Sequence, residues 1–315
     1  MNKDLRIVFM GTPEFAVASL ELLVREGWNV VAVVTAQDKP QGRGRQAKPS
    51  PVKAFAEAHQ LPVLQPPNLK SEAFLETLRD FRADLQVVVA FRMLPEVVWS
   101  MPEKGTFNLH ASLLPDYRGA APINWVLMNG ESKTGLTTFF LQQEIDTGSI
   151  LFQEEEAILP EDNAGTLHDR LMHKGASLVL RTVAGIASGN VRPQPQDSSR
   201  AIHTAPKIHK ETCEIDWNQP ARQLHNQIRG LSPYPGAWCR LGTTTCKLYH
   251  SHLVEQTKEA LKPGEFSTDY KTYLHFQTGK GLLAITDLQL AGKKRMDISA
   301  FLRGNAATLQ TLRVQ

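Results

Sequence analysis

Short apolar runs alternate with longer periodic segments along the first half of the chain. The apolar runs have the length of buried β-strands and occupy residues 5–10, 29–35, 85–91, 105–110 and 135–141. Between them, apolar residues that recur every three or four positions predict helices over residues 14–26, 50–59, 71–80 and 163–188. Strands that alternate with crossover helices indicate an α/β fold with an open, mostly parallel, Rossmann-like sheet, whose ligands bind beyond the carboxyl ends of the strands.

The pattern changes after the last of these helices. Residues 190–206 are rich in Pro, Gln, Ser, Asp and Arg, as an exposed linker would be. Short alternating segments then follow, separated by turn residues such as Pro233-Tyr-Pro-Gly236. We therefore predict a domain of residues 1–189, a linker of residues 190–206, and a smaller antiparallel, barrel-like (OB-like) β-domain of residues 207–315.

Composition excludes several protein classes. Hydrophobic residues make up 42% of the 315 residues and charged residues 21%, which excludes a disordered or fibrous chain. The longest apolar runs fall far short of the roughly 18 residues that a membrane helix needs, and the first residues do not resemble a signal peptide. The expected location is cytoplasmic. The formal charge of +3 excludes a uniformly basic surface but allows a local basic patch.

Candidate chemistry lies at the end of the predicted strand 105–110. Side chains alternate faces along a strand, so Asn108 and His110 share one face at its carboxyl end. Asp146 follows in a predicted turn, and an aspartate that reached His110 would orient the ring. An amide, an imidazole and a carboxylate can serve an acyl transfer that uses no protein nucleophile. Taken alone, however, Asn-x-His at a strand end is more often a structural pair.

Other catalytic patterns are missing from the sequence. Ser112 lacks a G-x-S-x-G elbow, and no HExxH-type metal motif is present. The three cysteines, Cys213, Cys239 and Cys246, lack C-x-x-C spacing, so we expect reduced structural thiols and no metal. Direct transfer remains the favoured chemistry.

Three motifs resemble the signature of the formyltetrahydrofolate-dependent formyltransferase family. They are Asn108-Leu-His110-Ala-Ser112-Leu-Leu-Pro115, Tyr117-Arg-Gly-Ala-Ala-Pro122-Ile-Asn-Trp125 and Asp146-Thr-Gly148. Further motifs, among them Gly11-Thr-Pro-Glu-Phe-Ala16 and Ile215-Asp-Trp217, resemble the branch of that family that acts on methionyl-tRNA. The resemblance spans nearly the whole chain.

The resemblance implies transfer of a formyl group from 10-formyltetrahydrofolate to the amino group of initiator methionyl-tRNA by a monomeric enzyme. It implies catalytic roles for Asn108, His110 and Asp146. It also implies that folate is contacted by residues of two segments, namely Val89, Phe91, Arg92, Ser112, Leu113, Leu114 and Pro115. Many family members carry glycine at the position of Arg92, which leaves the geometry of that loop open.

A tRNA acceptor requires contacts to phosphates. Residues 38–53 form a predicted flexible basic loop that includes Arg43, Arg45 and Lys48. Lys207 and Lys210, at the exit of the predicted linker, extend the set of candidate tRNA-binding residues. On charge alone a solvated surface loop is the favoured explanation of the basic segment.

Rival functions use the same residues or none of them. Formyl transfer to an amino sugar and hydrolysis of formyltetrahydrofolate could both employ Asn108, His110 and Asp146. A noncatalytic RNA-binding module on an α/β scaffold would bind tRNA without turning over folate. It would leave the spacing of the three residues unexplained.

Overall fold

A computed structural model describes residues 3–41, 46–255 and 261–313. The helices are α1 (Glu14–Arg25), α2 (Pro51–Ala58), α3 (Glu72–Asp80), α4 (Glu96–Trp99), α5 (Pro122–Met128), α6 (Ala164–Ala187), α7 (Ala221–Leu231) and α8 (Ile298–Arg313). The strands are β1 (Ile7–Gly11), β2 (Val30–Val34), β3 (Lys39–Gln41), β4 (Gln46–Lys48), β5 (Val63–Leu64), β6 (Leu85–Val89), β7 (Thr106–His110), β8 (Arg118–Gly119), β9 (Lys133–Phe140), β10 (Ile150–Ala157), β11 (Thr204–Ala205), β12 (Ala237–Leu241), β13 (Thr244–Val254), β14 (Phe266–Thr268), β15 (Leu274–Gln277), β16 (Leu282–Leu290) and β17 (Met296–Asp297).

The chain divides into two compact units. The first unit contains Met1–Gly119, Thr134–Ala157 and His168–Thr204, and the second contains Ala120–Lys133, Ile158–Leu167 and Ala205–Gln315. Residues 190–204 of the segment predicted as a linker thus belong to the first unit. Many of its side chains are exposed, yet its backbone is bonded to this unit, for example through two hydrogen bonds between Ile150 and Gln194.

The first unit is built on a seven-stranded sheet with the order β10-β9-β7-β6-β1-β2-β5. Strands β5, β2, β1, β6 and β7 run parallel, and β9 is antiparallel to β7. The prediction of a mostly parallel α/β sheet is confirmed. The chain passes from β1 outward to β2 and β5 and then returns to β6 on the other side of β1. The strand order therefore reverses between β1 and β6, where ligand crevices form in such sheets.

Local sequence explains where the elements of this sheet begin and end. Ser50 caps α2 by accepting a hydrogen bond from the Lys53 amide at 3.0 Å, and Pro51 follows at the first helical position, as predicted. The apolar run 85–91 is longer than the strand observed. Its strand ends at Val89 because Ala90 turns the chain with a φ of 48°.

The second unit is built on an antiparallel sheet with the order β12-β13-β16-β15-β14, and β17 pairs with β16. Helix α7 packs its apolar face, Leu224 and Ile228, into a core that also contains Phe276 and Phe301. The predicted antiparallel β-domain is confirmed. Helix α8, which contributes Phe301 to this core, was not expected from the sequence.

The basic segment 38–53 contains regular structure. Strands β3 and β4 pair antiparallel, with Lys39 opposite Lys48, so the described part of this segment is a β-hairpin and not only a loop. Arg43 and Arg45 lie outside the described residues. No helix in the described part of the chain is long and apolar enough to cross a membrane.

We expect Gly135→Ala to destabilise the first unit. A Cβ atom at this position would lie 2.3 Å from the Glu154 carbonyl oxygen and 2.5 Å from Leu113, so β9 and its neighbours would have to separate. Overpacking of this kind costs about 1–3 kcal/mol. Thermal unfolding measures the loss. The control is Gly304→Ala in α8, where, among the described residues and outside the helix's own backbone, no atom lies within 4 Å of such a Cβ. A melting temperature of Gly135→Ala equal to that of the control would contradict this account.

Candidate active site

Asn108 and His110 lie side by side on one face of β7, as the alternation of the strand predicts. Asn108 is flanked by Val88 on β6 and Phe139 on β9, and His110 by Thr137. The Asn108 side chain is half-buried, and its amide has no hydrogen-bond partner among the residues that the structure describes. This amide is therefore available to a ligand.

The His110 ring is fixed by the backbone of the loop that follows it. The side chain is only 6% exposed, and Nε2 lies 2.9 Å from the carbonyl oxygen of Tyr117. A carbonyl oxygen can only accept, so Nε2 carries a proton and donates it. In the neutral ring Nδ1 then holds the lone pair and is the nitrogen that can take up or release a proton.

Asp146 faces that second nitrogen. Its Oδ2 lies 3.8 Å from His110 Nδ1 and accepts a hydrogen bond from the Gly119 amide at 3.0 Å. The separation of 3.8 Å is longer than a hydrogen bond. The ring is thus oriented by Tyr117 and not, as the sequence suggested, by Asp146. The carboxylate instead provides a negative charge beside Nδ1.

A close backbone contact shapes the Asp146 loop. Gly148 packs so tightly against β9 that a Cβ atom there would lie 1.6 Å from the Phe140 carbonyl oxygen. No other residue type fits this position, because every other side chain begins with Cβ. The glycine that follows Asp146 in the sequence is therefore required by the approach of the two backbones.

The loop that follows His110 is held internally. Ser112 is fully buried, and its Oγ donates to the Asp116 carbonyl at 2.7 Å. The Leu114 amide donates to Thr137 Oγ1 at 3.1 Å, and the Leu114 carbonyl accepts from Gln153 Nε2 at 2.8 Å. Leu113 and Pro115 are half-buried. The loop is therefore held rigidly, and the Ser112 hydroxyl is committed to a bond within the loop itself.

The residues after β6 form the next wall along the sheet edge. Val89 is buried at the strand end, Phe91 is half-buried, and the Arg92 guanidinium lies 5.7 Å from the centre of the Phe91 ring. Arg92 also donates to the carbonyls of Pro66 and Pro67. The left-handed residue of this turn is Ala90 and not Arg92, so the backbone does not require glycine at position 92.

The described candidates for RNA contact are exposed. Lys48 is exposed in β4 of the first unit. Lys207 and Lys210 are exposed in the second unit, where Lys210 Nζ lies 5.7 Å from the centre of the Trp238 ring. None of these three lysines makes an ion pair within the described residues.

Two family models match most of this chain. The family model of formyl transferases matches residues 5–183, and that of the formyl transferase C-terminal domain matches residues 207–306. The chain belongs to the formyl transferase family. The gap between the two matches, residues 184–206, includes the predicted linker.

A curated relative agrees with this assignment, and solved structures share the fold. The methionyl-tRNA formyltransferase of Bacteroides fragilis is 52% identical over 311 residues, which cover 96% of either chain. Among solved structures, WlaRD, a sugar 3N-formyl transferase solved with dTDP and 5-N-formyl-THF, has a TM-score of 0.66 at 18% identity and covers 92% of this chain and 99% of its own. HypX from Aquifex aeolicus, solved with tetrahydrofolic acid, has a TM-score of 0.66 at 19% identity and covers 96% of this chain and 47% of its own.

Three residues that hold the candidate site together were not expected from the sequence. Tyr117 and Gly119 act through backbone atoms, and Gln196 Nε2 donates to the carbonyls of Asp146 and Gly148, both at 2.8 Å. Tyr117 and Gly119 lie within a recognised motif. Gln196 lies in a segment whose composition indicates a linker, so no local signal identifies it.

A histidine cluster in the second unit has no metal-binding geometry. His250 Nδ1 lies 2.6 Å from Thr286 Oγ1, and within the described residues no group of three or more His, Cys, Asp or Glu side chains could hold a metal ion.

His225 on α7 contacts Ser251 Oγ at 3.1 Å. Burial, followed by the positive charges of Arg229 and His250, lowers the pKa of His225 from 6.5 to about 4. Glu161 and the bond to Ser251 oppose this shift.

We expect His225 to make the second unit less stable as the pH falls from about 6.5 towards 4. The unfolded chain takes up a proton near the ordinary pKa of about 6.5, whereas the folded chain keeps the ring neutral until about pH 4. Between pH 7 and pH 5 the free energy of unfolding should therefore decrease less in His225→Gln than in the wild type. The difference should be on the order of 1 kcal/mol. Urea unfolding at both pH values measures this difference. His252→Gln, at an exposed position on β13, is the control. Equal pH dependence in all three proteins would contradict the prediction.

Proposed function

We propose that this chain transfers a formyl group from 10-formyltetrahydrofolate to the amino group of initiator methionyl-tRNA. The observation that carries the proposal is the pairing of Asn108 and His110 at a strand end, with His110 Nδ1 facing Asp146 at 3.8 Å. The curated relative from Bacteroides fragilis bears the name methionyl-tRNA formyltransferase and aligns over 96% of the chain. WlaRD was solved with 5-N-formyl-THF and HypX with tetrahydrofolic acid, which supports a folate donor.

In the proposed mechanism the amine attacks the formyl carbon, and the carbonyl oxygen becomes an oxyanion. The Asn108 amide, which has no partner among the described residues, donates to this oxygen, and His110 donates through Nδ1 when it is protonated. Asp146 stabilises the imidazolium and takes the amine proton directly or through water. Collapse breaks the bond between the formyl carbon and N10 of the folate, which receives a proton. Overall one proton moves from the amine to N10.

The donor is proposed to lie along the carboxyl ends of β1, β6 and β7. Val89, Phe91 and Arg92 follow β6 at the point where the strand order reverses, and Ser112, Leu113, Leu114 and Pro115 follow β7. An aromatic ring beside an arginine suits a flat, polar ring such as a pterin. The neighbouring wall offers the half-buried Leu113 and Pro115.

Asn108→Ala and His110→Ala are each expected to lower the formylation rate about a hundredfold or more at saturating substrates, because each removes a donor to the oxyanion. The assay uses 10-formyltetrahydrofolate and four acceptors: charged initiator tRNA, a charged elongator tRNA, an amino-sugar nucleotide, and water. Only the charged initiator tRNA should be formylated rapidly.

Asn190→Ala and His173→Ala are the matched controls, since both side chains are exposed and away from the site. Circular dichroism verifies that the variants fold. Near-wild-type rates in folded Asn108→Ala and His110→Ala would remove these residues from the mechanism. Preferred formylation of the sugar or of water would replace the proposed acceptor.

The acceptor tRNA is proposed to contact Arg43, Arg45, Lys48, Lys207 and Lys210. On this proposal the first unit, which includes residues 190–204 of the segment predicted as a linker, is catalytic, and residues 207–315 of the second unit form the tRNA-binding domain. The exposed lysines among these residues suit phosphate contacts, because they make no ion pair within the described residues.

Lys207→Ala combined with Lys210→Ala should weaken tRNA binding and reduce the slope of log affinity against log salt by roughly one to two, as the loss of one or two phosphate contacts requires. Binding is measured by filter retention over a series of salt concentrations. Lys104→Ala is the control, because this exposed lysine precedes β7 at the opposite edge of the sheet from Asn108. An unchanged slope in the double variant would exclude these two lysines from the RNA interface.

A further inference from the structure

We propose that Gln196 is a positioning residue that sets the place of the Asp146 carboxylate for formyl transfer. The inference rests on the proposed function, in which Asp146 acts beside His110. It concerns a side chain about fifty residues away in sequence, in a segment that resembles a linker.

The Gln196 amide holds the Asp146 loop at two points. Nε2 donates to the carbonyl oxygen of Asp146 and to that of Gly148, each at 2.8 Å. A carboxamide nitrogen carries two hydrogens, so both carbonyls can be satisfied at once. The loop is thereby fixed on either side of Thr147.

Arg118 determines which way the Gln196 amide points. Its Nε and Nη2 donate to Gln196 Oε1 at 3.2 Å and 2.6 Å. A guanidinium has no acceptor, so the oxygen of the amide must face Arg118 and the nitrogen must face the loop. The orientation of Gln196 is therefore specified by its partners on both sides.

The same short segment also holds the other members of the site. Tyr117 accepts from His110 through its carbonyl oxygen, Arg118 binds Gln196, and the Gly119 amide donates to Asp146 Oδ2. Three consecutive residues thus connect His110, Gln196 and Asp146. A shift of the Gln196 amide would move the Asp146 carboxylate relative to a ring that stays fixed by Tyr117.

Apart from the contact of Gly148 with β9, side-chain packing contributes little to the Asp146 loop, so the loop depends on such bonds. Ile145, its apolar neighbour, is 63% exposed. Asp146 itself has a φ of 54°, a left-handed conformation that is unfavourable for a residue with a Cβ atom and that persists only where the surroundings enforce it. The hydrogen bonds between Thr147, Gln142 and Glu144 stay within the loop. Gln196 and Gly119 therefore provide bonds that tie it to the rest of the unit.

Gln196→Ala should lower kcat about tenfold or more and leave KM for 10-formyltetrahydrofolate within about twofold, because the loss is in transition-state geometry and not in donor binding. Gln196→Glu should lower kcat by a similar factor. Its carboxylate keeps the shape of the side chain and the bond to Arg118 but cannot donate to the two carbonyls. Gln194→Ala is the matched control, because its side chain is exposed and only its backbone bonds to Ile150. Its kcat should equal that of the wild type.

The decisive measurement is a double-mutant cycle with Asp146→Asn. If Gln196 acts through Asp146, Gln196→Ala should lower kcat about tenfold in the wild-type background and less than about twofold in the Asp146→Asn background. Equal losses in both backgrounds would overturn the proposal, as would a fall in melting temperature that accompanies proportional changes in kcat and KM.

The cycle also separates this inference from the proposed function. If Asp146→Asn alone retains wild-type kcat, the role of Asp146 in the mechanism is wrong. If Asp146→Asn is impaired and Gln196→Ala is not, the mechanism stands and the positioning role of Gln196 is overturned.

Discussion

The bond between His110 Nε2 and the Tyr117 carbonyl is the interaction on which the site depends. A buried imidazole has two nitrogens with different requirements, and a carbonyl partner settles which of them keeps its proton. Once Nε2 is committed, Nδ1 alone can exchange a proton. The carbonyl comes from a residue only seven positions further along the chain, so the loop between them must turn back sharply. The buried Ser112 hydroxyl supports that return by bonding to the Asp116 carbonyl.

The loop is anchored from outside as well. The Asp116 carboxylate accepts from the backbone amides of Ile202 and His203, at 3.1 Å and 2.6 Å, and the Tyr117 ring stacks on the His203 ring with centroids 4.9 Å apart. Backbone geometry near His110 is thus maintained by a segment that follows helix α6. The sheet in turn makes the strand end that carries His110 rigid. Phe107 on β7 and Phe139 on β9 are both fully buried.

Features of this arrangement that depend on neighbouring residues could be predicted from the sequence, whereas contacts between residues far apart in the chain could not. The shared face of Asn108 and His110 follows from the two-residue period of a strand, and the start of α2 follows from Ser50-Pro51. The end of β6 does not, because the left-handed turn at Ala90 interrupts an apolar run without a glycine to mark it. Gln196 could not be found locally, since its partners on the Asp146 loop lie 48 and 50 residues away.

Helix α8 could not be predicted from the sequence for a different reason. Its apolar residues Phe301, Leu302 and Leu309 have helical spacing, but the segment also contains Gly304 and Asn305, which weaken a helix in isolation. Burial in the core of the second unit compensates for this. The basic hairpin β3–β4 is similar, because Pro40 and the surrounding glycines favour a loop on local grounds.

The placement of residues 190–204 has a consequence for dividing the protein into fragments. The family match to the first half ends at residue 183, and helix α6 ends at Ala187, so either position invites truncation. A polypeptide cut there would retain Asn108, His110 and Asp146. It would lose His203, which stacks on Tyr117, and Gln196, which donates a hydrogen bond to the Asp146 carbonyl. A fragment that is to keep the contacts of Tyr117 and of the Asp146 loop must therefore extend at least through His203.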